Sequence, residues 1–233
     1  MDVFRTSAEQ SNIEIYRYVF TPVKTNMYFI LSKNEAIIID PHESSEGYEF
    51  LRSNGIKIIK IFLTHEHFDH TSGVNWFRGR FESELICHLK CAEQIEEAGN
   101  NRPFLIALVL SEKDKVDGGN KAKELLKQYK PYTCQADITF DAEMIYEWNG
   151  HKIYLKPTPG HTPGSCCITF NENTVFTGDS LIKGVPVITR FPGGSSEDYN
   201  CITIPYLKLL KNEMLIMPGH GGPFYKSEVN ICK

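Results

Sequence analysis

The stretch Ile56-Lys57-Ile58-Ile59-Lys60-Ile61-Phe62-Leu63-Thr64-His65-Glu66-His67-Phe68-Asp69-His70 decides how this chain is read. Its first half, residues 56–63, is rich in isoleucine and reads as a buried strand. Its second half sets three histidines and an aspartate on the loop directly beyond it. His65 and His67 are two apart, so on extended backbone they face the same way and suit one cation. Asp69 and His70 are adjacent, so they diverge and suit a second. A histidine standing alone is more often an ordinary hydrogen-bonded residue, and His42, His88 and His151 are expected to be that. Glu66 and Phe68 lie between the candidate ligands and are expected to point away from them, with no catalytic role.

Two further loops repeat the arrangement. His161 follows Thr158-Pro159-Gly160 and His220 follows Pro218-Gly219, each after an expected strand, where sites are usually built. Asp179 follows the apolar run 174–178 and carries a short carboxylate suited to lie between two ions. Seven donors give three to four per metal once a water is shared, the count of a two-metal hydrolytic site with ions about 3.5–4 Å apart. Three protein donors and an open position are the mark of a catalytic zinc site; structural sites are closed by four.

Outward from these loops the pattern alternates strands and short helices. Residues 13–20, 26–31 and 36–40 read as strands, 44–53 as a capped helix, 84–88 as a strand and 89–97 as a helix. Residues 144–148 and 152–156 flank Asn149-Gly150, a strong hairpin signal, and 166–170 and 174–177 flank a second turn. Residues 196–210 read as helical, with Pro205 forcing a kink or break, before a last short strand at 214–217. Residues 100–132 differ: an apolar run at 104–110, a Gly118-Gly119 break and a Lys/Glu-rich pattern predict a helical insertion. The whole, 1–233, reads as a single α+β domain with two β-rich halves.

Composition limits the rest. The chain has 233 residues, a net charge of −4 and 41% hydrophobic residues, enough to bury a core without metal or disulfide staples. That charge offers no field for nucleic acid and no polybasic patch for a membrane. The longest apolar run, seven residues, is far short of the about 20 a spanning helix needs. The partner is expected to be a small-molecule substrate, with a homodimer possible through the 104–110 run. Seven cysteines, an odd number without a C-x-x-C pair, and no secretory stretch at the start read as reduced thiols in a cytoplasmic protein. Adjacent Cys166 and Cys167 should point to opposite faces of one strand.

The segments Thr64-His65-Glu66-His67-Phe68-Asp69-His70, Gly160-His161-Thr162-Pro163-Gly164-Ser165, Thr177-Gly178-Asp179-Ser180 and Pro218-Gly219-His220-Gly221 together resemble the signature of the metallo-β-lactamase superfamily, over about residues 26–223. The resemblance implies an αββα sandwich, here with a helical insertion at 100–132. It also implies a site in which His65, His67 and His161 hold one divalent ion, Asp69, His70 and His220 a second, and Asp179 bridges them. Asp69 is then also the catalytic residue that orients the nucleophile. Zinc is the first expectation for both ions, with iron and manganese also suited to imidazole and carboxylate donors. Within the superfamily the chain looks most like the glyoxalase II (hydroxyacylglutathione hydrolase) branch, on Arg190-Phe191-Pro192-Gly193-Gly194-Ser195 after Asp179. That implies attack of a metal-activated water on a carbonyl substrate, such as a thioester. With 13 residues after His220, that branch's C-terminal helical domain is expected to be absent; the 90 residues between His70 and His161 are more than a compact member needs. Other activities of the same fold are an iron-dependent persulfide dioxygenase, a lactonase and a phosphodiesterase, the last disfavoured for long polyanions by the net charge.

Overall fold

A computed structural model describes residues 1–8, 11–101 and 103–231. The chain runs β1 (Asp2–Ala8), β2 (Ser11–Phe20), β3 (Thr25–Ser32), β4 (Glu35–Ile39), α1 (Ser45–Ser53), β5 (Ile58–Phe62), α2 (Phe68–Thr71), α3 (Val74–Arg78), β6 (Glu82–His88) and α4 (Leu89–Ile95). After α4 come α5 (Phe104–Asp117), α6 (Lys121–Gln128), β7 (Ile138–Phe140), β8 (Met144–Trp148), β9 (His151–Pro157), β10 (Cys166–Phe170) and β11 (Thr174–Gly178). The last elements are α7 (Ser196–Asp198), α8 (Ile204–Leu209), β12 (Leu215–Pro218) and β13 (Phe224–Tyr225).

The strands form a seven-stranded sheet, ordered β1 to β7, and a six-stranded sheet, β13-β12-β11-β10-β9-β8. Period-two alternation explains why the sheets stack. In β4, Ile37 and Ile39 enter the core shared with the second sheet, beside Ile168, Phe176 and Met217. Ala36 and Ile38 point the other way, under Leu51 of α1, Phe77 of α3 and Ile95 of α4. The second sheet does the same: Cys166 faces the inter-sheet core, whereas Cys167 lies with Leu207 of α8 on the outer face. Helices thus cover both outer faces, the αββα arrangement expected. No helix among the described residues is long and apolar enough to cross a membrane.

Turn chemistry fixes the second sheet. Trp148 pairs with His151, and Asn149 and Gly150 between them both take positive φ, the backbone a two-residue hairpin requires. Three strands exceed the sequence reading: edge strands β1 and β13, and the three-residue β7. Residues 196–210 differ from one kinked helix. A π-helical turn, Tyr199–Thr203, joins α7 to α8, and Pro205 falls in the first turn of α8, where a missing N–H costs nothing.

The 100–132 segment forms the helix pair α5–α6. Ala107, Leu110 and Leu125 turn inward onto Phe20 and Phe68, so the apolar run seats on the body of the fold. Leu108, Val109 and Leu126 face outward. Gly118, left-handed at φ 70°, ends α5.

Candidate metal centre

Pairing in the two sheets brings four loops to one edge. β4 and β5 are parallel, with Ile39 opposite Phe62, which sets Asp40 beside the loop leaving β5. β11 and β12 are parallel, with Gly178 opposite Pro218, which sets Asp179 beside Gly219 and His220. The start of β3 ties the sheets together: Asn26 N–H donates to the Gly219 carbonyl at 2.7 Å, and the Tyr28 hydroxyl donates to the Pro218 carbonyl at 2.6 Å.

All seven residues singled out in the sequence meet there. Nδ1 of His67 lies 3.2 Å from Nε2 of His65 and 3.0 Å from Nε2 of His161. Those three atoms form one group able to hold a cation; Asp69, His70 and His220 form another. In the second group, Oδ2 of Asp69 is 3.6 Å from His70 Nε2 and 3.4 Å from His220 Nε2. Asp179 lies between the groups, with Oδ2 3.5 Å from both His161 Nε2 and His220 Nε2 and Oδ1 3.6 Å from His70 Nε2.

Four of the imidazoles are held from behind. His70 Nδ1–H donates to Asp40 Oδ2 at 2.9 Å, His161 Nδ1–H to the Ile188 carbonyl at 2.7 Å, and His220 Nδ1–H to the Val23 carbonyl at 3.1 Å. The Thr64 hydroxyl spends its proton on Asp40, so the 3.0 Å contact to His65 Nδ1 has the ring as donor. Each bond fixes a tautomer whose Nε2 lone pair faces the centre. Asp40, Thr64 and the two carbonyls were not assigned roles from the sequence. Asp40 also falls within a donor group with His65 and His70, yet its oxygens are taken by Thr64 N–H, the Thr64 hydroxyl and His70. It is a rear support.

Charge agrees with this division. Burial, then the neighbouring His70 and His67, holds His65 well below the ordinary histidine range. Burial and His161 bring His67 down to about 4. These rings are neutral donors. At His70 burial acts downward, but Asp69 and Asp40 overcome it and raise the group to about 10. The surroundings of His70 therefore favour a positive charge at Nε2. Burial pushes the Asp69 carboxyl up, yet the neighbouring His70 and His220 and the bond from the Thr25 hydroxyl hold it well below the usual range. Asp179 is held low against burial by His220, His70 and His161. Two buried atoms here, His70 Nε2 and Asp179 Oδ1, have no hydrogen-bond partner. Paired oxygen and nitrogen lone pairs without donors are what a divalent cation satisfies, so the residues fit metal ions.

Backbone approach is tight enough to require glycine at several places, Gly219 and Gly164 among them. A Cβ on Gly219 would collide with Asp179 Oδ1 and lie 2.8 Å from His70 Cε1. At Gly164 it would collide with Glu66 Oε2 and lie 2.5 Å from the Cys91 nitrogen. Glu66 turns away from the centre, as expected, accepts from the Thr162 hydroxyl at 2.8 Å, and so ties the His65–His70 loop to the His161 loop. Two of the other histidines are ordinary hydrogen-bonded residues, as expected: His88 caps α4 by accepting from Lys90 N–H and His151 contacts the Asn171 amide. His42 differs, being buried 5.3 Å from the Phe20 ring with its Nδ1 unpartnered.

Comparison with known proteins gives one consistent answer. The chain is 27% identical to a probable metallo-hydrolase of Streptococcus pyogenes, over 90% of this chain and 84% of that one. It is 26% identical to a hydroxyacylglutathione hydrolase of Pelagibacter ubique, over 86% of this chain but only 66% of that protein's length. The crystal structure of the B3 metallo-β-lactamase BLEG-1 superposes with a TM-score of 0.71 at 23% identity, covering 92% of this chain and 95% of that one; at that identity the likeness concerns the fold. The family model for the metallo-β-lactamase superfamily matches residues 20–220, from the last residue of β2 to His220, and the chain belongs to that superfamily.

Proposed function

We propose that the chain is a hydrolase that holds two divalent ions, zinc in the first instance, and cleaves a small carbonyl substrate, a thioester before a lactone or a phosphodiester. The observation that carries the reading is the position of Asp179, with one oxygen 3.5 Å from His161 and from His220 and the other 3.6 Å from His70. His65, His67 and His161 hold one ion, Asp69, His70 and His220 the other, and Asp179 serves both. The thioester preference rests on the likeness to the Pelagibacter ubique hydroxyacylglutathione hydrolase.

When bound, such ions acidify water and polarise a carbonyl oxygen. The protein's own groups do the positioning. Asp69 is held as a carboxylate, so it is an acceptor toward a water proton and orients the attacking oxygen; it is the proposed catalytic residue. The Thr25 hydroxyl donates to the same Oδ2 and leaves Oδ1 for that task. Only Asp69 and Asp179 bring negative charge among the proposed ligands, against two divalent cations, so the centre keeps positive charge for a developing oxyanion. Phe191, 5.8 Å from the His67 ring, places an apolar group beside the His65–His67–His161 group.

The test is metal content of purified protein, measured with turnover of thioesters, lactones and phosphodiesters. Two ions per chain with thioester turnover fits the proposal. One ion that no added metal raises to two, or turnover confined to phosphodiesters, overturns it.

A further inference from the structure

His67 differs from the other imidazoles at the centre. His65, His70, His161 and His220 each have the ring nitrogen remote from the cluster bonded to a fixed partner. His67 faces the cluster through Nδ1, and among the described residues its Nε2 has no such bond. Besides His65 and His161, its ring meets Phe191, 5.8 Å away. What holds His67 is its backbone. It precedes α2, and its carbonyl accepts from His70 N–H at 3.0 Å and from the Thr71 hydroxyl at 3.1 Å.

The Thr71 hydroxyl lies 2.6 Å from the hydroxyl of Tyr132. Thr71 has one proton, given to the His67 carbonyl, so Tyr132 is the donor in that contact. Tyr132 closes the helical insertion: its N–H donates to the Asn101 carbonyl at 3.2 Å across the base of the 100–132 segment. Burial pushes its hydroxyl well above the ordinary tyrosine range, against the bond to Thr71, which acts the other way. Phe68, between His67 and Asp69, is buried against the same insertion.

We infer that Tyr132 is a positioning residue for the metal centre: the chain Tyr132–Thr71–His67 carbonyl does for His67 what a direct ring bond does for the other four histidines. The insertion is then part of the support of the His65–His67–His161 group. The inference rests on the reading that this group holds an ion.

The test uses the full chain and zinc alone, with affinity measured by chelator competition and the ligand field read from the visible spectrum of the cobalt-loaded protein. Tyr132→Phe removes one hydroxyl from the relay. Tyr129→Phe removes one from the same aromatic cluster, where Tyr129 packs 5.1 Å from Phe68, without touching the relay. Support of this kind is worth roughly ten- to a hundredfold in metal affinity. Tyr132→Phe is expected to weaken one of the two zinc sites by about tenfold or more and to shift the cobalt spectrum, with Tyr129→Phe matching wild type in both. Thr71→Val should repeat the Tyr132→Phe result and Thr71→Ser should restore wild-type binding. Equal zinc affinity and an unchanged cobalt spectrum in Tyr132→Phe overturn the inference while the metal reading stands. Absence of zinc binding by wild type overturns both.

Discussion

The carboxylate of Asp179 reaches Nε2 of His161, 3.5 Å away, from the far side of the centre. That contact joins the loop after β9 to the loop after β11 and, with the contact of Asp179 to His220, spans the two donor groups. Its other oxygen is buried without a hydrogen-bond donor, a costly state unless a cation satisfies it. Asp179→Ala should therefore reduce bound metal below two per chain and lower turnover by roughly a hundredfold or more. Elemental analysis and steady-state kinetics on the same preparation check this. Wild-type metal content with wild-type turnover would show that Asp179 is no ligand.

Asp40 makes a prediction of a different kind, because it touches no position proposed for an ion. It accepts from Thr64 N–H, the Thr64 hydroxyl and His70 Nδ1–H. In Asp40→Asn the side-chain nitrogen replaces one acceptor oxygen, so either Thr64 or His70 loses its partner. Metal affinity should fall by roughly ten- to a hundredfold, with the far-ultraviolet circular dichroism of the sheets preserved. An affinity equal to wild type in chelator competition would remove Asp40 from the support of His70.

Asp40 also shows where reading the sequence stops. The strand ending near it was legible, because isoleucines alternate between two faces at 36–39. Its task was not, since that depends on β4 lying parallel to β5 with Ile39 opposite Phe62, a pairing no local pattern encodes. The seven residues that meet at the centre were legible for the opposite reason: each lies at or just beyond the end of a recognisable strand, Asp69 and His70 in the short α2 that follows β5, and histidine is scarce elsewhere in the chain. β1, β7 and β13 escaped because they are edge or very short strands whose existence depends on neighbours. The π-helical turn at Tyr199–Thr203 escaped because it changes helix register without any breaker residue, and this shift places Pro205 harmlessly in the first turn of α8.

The cysteines give a test independent of metal. Cys87, Cys91, Cys134, Cys166 and Cys167 are buried and Cys201 is exposed; Cys232 lies outside the described residues. Burial pushes Cys134 and Cys167 up to about 12 and Cys91 and Cys166 well above the ordinary thiol range. The thiolate is the reacting form, so such groups are inert while the fold is intact. In a Cys201→Ser, Cys232→Ser variant, no thiol should react promptly with an aromatic disulfide reagent at pH 8, and the five buried cysteines should all react in denaturant. Prompt labelling of a buried cysteine in the folded variant would mean that the core around α4 or β10 opens readily.

The helix pair α5–α6 is expected to govern substrate choice. It covers Phe68, which lies in sequence between His67 and Asp69, and packs near Val23, whose carbonyl holds His220. The pair therefore stands beside residues that adjoin both donor groups. Replacing residues 104–128 with a short Gly-Ser linker keeps Asn101 and Tyr132, whose backbone bond closes the base of the insertion. The replacement uncovers Phe20 and Phe68, and losing the burial of a large apolar side chain costs about 1.5–3 kcal/mol, so the midpoint of thermal unfolding should drop. Bound metal should persist, because no proposed ligand lies in the removed segment. The KM values for a series of thioesters with increasing acyl bulk should then converge, since the wall that distinguished them is gone. If the trimmed protein keeps both its metal and the wild-type ranking of substrates, α5–α6 serves only to cover Phe20 and Phe68 and plays no part in substrate choice.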